Sequence, residues 1–107
     1  MAKLSVDLAG ALQEMRQTFG LAIKEESYSE RDFGNALIVL VAPDFAVRIV
    51  RDRGDIFFDL AKPDLKWTDA DKRIESLGLH PDPRSSLTLA QFLTVLRDNK
   101  CPILESL

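Results

Sequence analysis

Two side chains in this 107-residue chain could begin acid–base or covalent chemistry, His80 and Cys101, and each is the only residue of its type. Acyl transfer and hydrolysis use a nucleophile, a base and a group that orients the base. His80 stands between Leu79 and Pro81 in a loop segment, which predicts a solvated imidazole. Cys101, beside Pro102 and just after the last predicted helix, reads as a half-buried small side chain. One Cys and one His are too few for a zinc site, and neither DLKWTDAD nor RDRGDIFFD spaces oxygen ligands around a glycine as calcium loops do. The five glycines, at 10, 20, 34, 54 and 78, are isolated, so a phosphate-cradling loop has no support. The expectation is no metal, no cofactor and no catalytic residue. A hydrolase working through carboxylates alone, from Asp52, Asp55 and Asp59, is the lesser alternative.

Those carboxylates belong to RDRGDIFFDL, residues 51 to 60, which contains Arg53-Gly54-Asp55. That tripeptide is an adhesion ligand in extracellular proteins, but here a tight turn accounts for it. If Arg53-Gly54 is a two-residue loop, Asp52 faces Asp55, Val50 faces Phe57 and Arg48 faces Asp59. Val47, Ile49, Ile56, Phe58 and Leu60 then share one apolar face, with an Arg48–Asp59 pair on the other. A three-residue loop would set Arg51 opposite Asp55 instead. The first register is preferred because it keeps the apolar pattern one-sided, and either needs Gly54 at positive φ. The charges left on the hairpin, Arg48, Arg51, Asp52, Arg53, Asp55 and Asp59, are candidate partner contacts, and Trp67 is a candidate interface anchor.

The elements that position these residues follow from periodicity. Ser5 can cap a first helix whose stripe is Leu8, Ala11, Leu12, Met15 and Phe19, with Gly20 ending it. NALIVLVAP, 35 to 43, reads as a central strand, FAVRIV as an alternating one, and IFFDLA as a third. The polar stretch 21 to 30 is a possible fourth strand at the edge, its charges discouraging edge-to-edge pairing. Connections this short imply an antiparallel meander. Thr68 can cap a second helix with Trp67, Ala70, Ile74 and Leu77 as its stripe and Gly78 as its stop. After the linker HPDPRSS, Thr88 and Gln91 have capping-box spacing, Leu87 can staple to Phe92, and Leu89, Phe92, Leu93 and Leu96 recur at helical spacing. The expected fold is one α+β domain over residues 1–107. In it an antiparallel three- or four-stranded β-meander is packed by an N-terminal helix and two C-terminal helices.

Hydrophobic residues make up 46% and charged residues 29% of the chain, an ordinary globular balance at a size where roughly 65% of the unfolded surface is buried. The net charge of −3 and pI near 5.1 argue against nucleic acid and anionic lipid as partners. MAKLSVDLAG has no apolar stretch of signal-peptide length, and the longest apolar run, ALIVLVA, is too short to cross a bilayer. A cytoplasmic protein of unknown oligomeric state, with a protein partner, is the expectation.

The stretch VRIVRDRGDIFFDLA, with a downstream Trp and a leucine-rich last helix ending in FLTVLRDN, resembles small bacterial immunity-type proteins of polymorphic toxin systems. The resemblance spans roughly residues 35 to 99 and carries no chemical motif. It implies a stoichiometric, non-catalytic role in which the domain binds and neutralises a cognate toxin. The modest charge departs from the strongly acidic members that neutralise nucleases. In size, acidity and element order the chain is also similar to small secretion chaperones, whose partner would be a secreted effector; that is the alternative.

Overall fold

The computed structural model describes residues 2–107. Two helices, α1 (Leu4–Asp7) and α2 (Ala9–Phe19), lead into β1 (Ala22–Ser29), β2 (Asn35–Val41), β3 (Ala46–Asp52), β4 (Asp55–Ala61) and β5 (Thr68–Asp69); α3 (Ala70–Ser76) and α4 (Leu89–Glu105) complete the chain. The five strands form one antiparallel sheet in sequence order. The α+β class and the meander are as expected. The sheet has five strands rather than three or four, because 22–29 pairs along β2 and Thr68–Asp69 adds a short edge to β4.

Register follows from the hairpin. Asp52 pairs with Asp55, Val50 with Phe57 and Arg48 with Asp59. Arg53 and Gly54 form the two-residue tip at φ 53° and 89°, the left-handed pair a primed turn requires. A Cβ at Gly54 would meet no neighbour, so its cost is conformational alone. Gly54→Ala is expected to lower stability by about 1 kcal/mol, and an unchanged melting temperature would contradict the turn.

With this register Ala36, Ile38 and Leu40 of β2, Val47 and Ile49 of β3, and Phe58 and Leu60 of β4 point to one side, where Leu4, Leu12, Met15, Ala70, Ile74, Phe92, Leu93 and Leu96 bury them. All of the helices thus serve one face of the sheet, a two-layer arrangement. Phe58 stacks on Phe92 at 4.7 Å between ring centroids, tying β4 to α4.

The helix boundaries differ from expectation for identifiable reasons. The first helix is broken at Leu8, and Ser5 lies inside it rather than capping it. The Ser5 amide and hydroxyl donate to Glu26 Oε2 and Oε1, both at 2.8 Å, so a carboxylate from β1 serves one orphan amide of that turn. Gly20 ends α2 in the left-handed region as expected. Asp69, not Thr68, caps α3 by accepting from the Lys72 amide at 3.1 Å, because the short strand Thr68–Asp69 pairs with β4 and delays the helix to Ala70. The capping box at Thr88 and Gln91 is present with both bonds formed, and Leu87 and Phe92 are both buried in the core. Beyond it, α4 continues past the expected end. Asn99 leaves helical geometry at φ −134° and the chain resumes, so Pro102 falls early in the renewed segment, where a missing N–H is tolerated. The extension brings Ile103 into the core and leaves Cys101 exposed rather than half-buried. No helix among the described residues is long and apolar enough to cross a membrane.

Two aspartates are held below the ordinary carboxylate pKa of 3.8. For Asp7 the chief cause is the Ala2 amide donating to it, followed by Arg51; for Asp44 it is the hydrogen bond from Lys100. A carboxyl whose folded pKa is depressed contributes stability that is fully present above its unfolded value and lost as pH falls through the folded one. Melting temperature is therefore expected to decline as pH drops below about 4. Asp7→Asn with Asp44→Asn should shallow that decline, and an unaltered acid limb would contradict it.

Candidate interaction surface

The face of the sheet that the helices leave open carries side chains in cross-strand rows. Leu37, Val50 and Phe57 form one row, Val39, Arg48 and Asp59 the next, and Val41, Ala46 and Ala61 the third. Alternation along each strand requires this once Ile38, Ile49 and Phe58 point into the core. A solvated outer face would ordinarily be polar, yet across β2 to β4 two of the three rows are apolar, with Ser27 and Glu25 of β1 beside Leu37 and Val39. Phe57 is 50% exposed, and Leu65, just beyond β4, is 58% exposed.

The middle row is charged and ordered. Arg48 Nε donates to Asp59 Oδ2 at 2.9 Å, its Nη2 lies 2.9 Å from the same oxygen, and its guanidinium stacks 4.8 Å from the Trp67 ring. Trp67 is therefore half-buried on the open face, not in the stripe of α3 expected of it; Leu77 is exposed, while Ala70 and Ile74 are buried. Residue 67 precedes a strand, and strand alternation sends its ring toward Arg48. Beside it a recess of about 520 Å³ is lined by Val41, Ala46 and Ala61 together with Leu65 and Trp67. Small residues in the third row give the recess its depth.

Of the seven sequence-derived candidates, the structure brings together Arg48, Asp59 and Trp67. Asp52, Arg53 and Asp55 sit at the exposed hairpin tip. Arg51 faces the other way. Its side chain is buried, with Nη1 2.7 Å from Asp7 Oδ2, Nε donating to the Gly34 carbonyl at 3.0 Å, and Nη2 donating to the Ala2 carbonyl. Arg51 thus locks the N-terminal segment to the turn before β2 and is not placed to meet a partner. It shares the core-facing side with Ile49, which strand alternation already implied.

The three carboxylates do not converge: Asp52 and Asp55 face each other across the hairpin, but Asp59 lies four residues beyond Asp55 on the same strand, roughly 13 Å away. Asp59 is occupied by Arg48. Among the described residues, no group of three or more His, Cys, Asp or Glu side chains is placed to hold a metal ion.

His80 differs most from expectation. Its side chain is 2% exposed rather than solvated. Nδ1 accepts the Asp82 amide at 3.1 Å, so Nε2 carries the hydrogen it donates to Asp71 Oδ1 at 2.9 Å. The other oxygen of Asp71 accepts from the Leu87 amide at 2.8 Å. Together Asp71 and His80 fasten the linker that leads into α4. The only sequence sign of this was an Asp early in α3 and a His at the head of the linker.

The fold and surface define a two-layer α+β domain with one open, largely apolar sheet face. No family model matches the chain, and no curated protein or solved structure matches it significantly.

Proposed function

We propose that this domain is a non-catalytic protein-interaction module, cytoplasmic and of the immunity type, which seats a cognate toxin on the open face of its sheet. The observation that carries the reading is the pair of apolar rows flanking an ordered Arg48–Asp59 pair under Trp67. Partly exposed apolar rows with Phe57 half exposed at their edge, a few fixed polar groups and an aromatic–arginine pair have the composition of a binding patch. The net charge of −3 weighs against nucleic acid as the occupant. The role is stoichiometric occupation, so the domain needs no cofactor.

The test is co-expression with the product of the neighbouring gene. Restored growth together with a complex of defined stoichiometry by light scattering is the expected result. A tight dimer that instead keeps a secreted effector soluble would favour the chaperone alternative. Turnover of ester or phosphoester substrates that disappears in Asp59→Asn would overturn the proposal in favour of a carboxylate hydrolase.

A further inference from the structure

The turn between β1 and β2 breaks two rules at one residue. Phe33 has φ 59° and Gly34 φ 71°, and the Asn35 amide donates to the Asp32 carbonyl at 3.0 Å, so Phe33 occupies the first left-handed position of a tight turn. Asn or Asp is favoured there, because a short polar side chain tolerates the conformation and a bulky one does not. Phe33 is also 71% exposed, so the strain is not offset by burial.

The surroundings hold this turn in place. Arg51 Nε donates to the Gly34 carbonyl at 3.0 Å, Ser29 Oγ to Asp32 Oδ2 at 2.9 Å, and the Arg53 amide to Asn35 Oδ1 at 2.8 Å. The last bond joins the two hairpin tips into one unit, with the Arg53 guanidinium 5.9 Å from the Phe33 ring. A strained residue survives only where its neighbours over-determine it, and such residues cluster at functional positions. The ring is thus presented outward by a rigid support, with the exposed Arg53 guanidinium over it and no burial in the core.

We infer that the paired tips are a second anchor, in which Phe33 enters an apolar pocket on the partner protein and that pocket has a basic rim. The charge follows from the tip itself, where Glu30, Asp32, Asp52 and Asp55 outnumber Arg31 and Arg53. Aromatic and arginine side chains are enriched at interfaces, and a preorganised turn lowers the cost of ordering them on binding. The row Leu37, Val50 and Phe57 lies between the tip and the Arg48–Asp59 row, so one partner can span both. The inference rests on the interaction reading but places a contact outside the open face.

The experiment uses the full chain with a benzophenone-bearing amino acid at position 33 and, separately, at position 67, each irradiated in the source cell. The expected result is an adduct from position 33 to the same protein that position 67 captures, at a segment where apolar residues are flanked by Lys or Arg. An adduct from 67 but none from 33 sinks the tip anchor and leaves the module reading standing; no adduct from either sinks both. Attachment to an acidic segment contradicts the inferred chemistry. In parallel, Phe33→Asn is expected to hold or raise the melting temperature while weakening the captured complex at least tenfold. A lowered melting temperature, or an unchanged affinity, would show that the ring serves the fold instead.

Discussion

Phe92→Ala is expected to destabilise the domain by about 3–5 kcal/mol, lowering the melting temperature by roughly 12 °C or more. Phe92 is fully buried, and its ring lies face to face with Phe58 at an interplanar angle of 5°. Removing it costs the transfer energy of the ring and leaves a cavity under Phe58 of β4. Relaxation into that cavity is restricted, because the capping box at Thr88 fixes the start of α4 and the buried Leu87 precedes it. Phe92→Leu, which keeps more of the volume, should cost clearly less. Equal losses from the two variants in chemical denaturation would contradict a packing origin.

The second large effect is at Arg51. Arg51→Met keeps an unbranched apolar stem but leaves the buried Gly34 carbonyl without its donor and removes the bonds to Asp7 and the Ala2 carbonyl that help hold the N-terminal segment to the sheet. About 2–3 kcal/mol of stability should be lost. Arg53→Ala is the contrast, since the backbone amide rather than the guanidinium of Arg53 holds the turn; its effect should stay within about ±0.5 kcal/mol. If Arg51 acts through Asp7, the losses from Arg51→Met and Asp7→Asn will be less than additive. A neutral Arg51→Met would remove the structural role assigned to that side chain.

Much of the architecture was legible because local and global signals agreed. The Arg53-Gly54 register could be read because a slip would have turned Val47, Ile49, Phe58 and Leu60 away from the helices. Gly20 and the Thr88–Gln91 box carry their mechanisms in their residue types. The misreadings came where two good local choices competed. Thr68 and Asp69 are both sound caps, and the strand pairing of both residues with β4, which delays the helix to Ala70, leaves the cap to Asp69; the same pairing moved Trp67 from a helix stripe to the open face. Asn99 and Pro102 look like a helix end, and only the burial of Ile103 explains why the chain resumes. Arg51 in the core, His80 under the linker and Phe33 in a strained turn all violate residue preference. Each is held by partners distant in sequence, Asp7 and Gly34 for Arg51, Asp71 for His80, and Arg51 and Arg53 around the Phe33 turn, and periodicity does not reveal such contacts.

Of the surface, the Arg48–Asp59 pair could be placed from register alone. That Trp67 covers it, and that the apolar rows on either side are left open, depended on all four helices packing on the opposite face.

The most direct test of this account is the affinity of the co-purified partner for Val50→Lys and Trp67→Ala, measured by calorimetry alongside thermal melting. Val50 and Trp67 flank the charged row but lie outside the core, so the account predicts at least a tenfold loss of affinity for each, about 1.4 kcal/mol or more, with the melting temperature little changed. Affinity retained in both variants would contradict the open face as the docking surface.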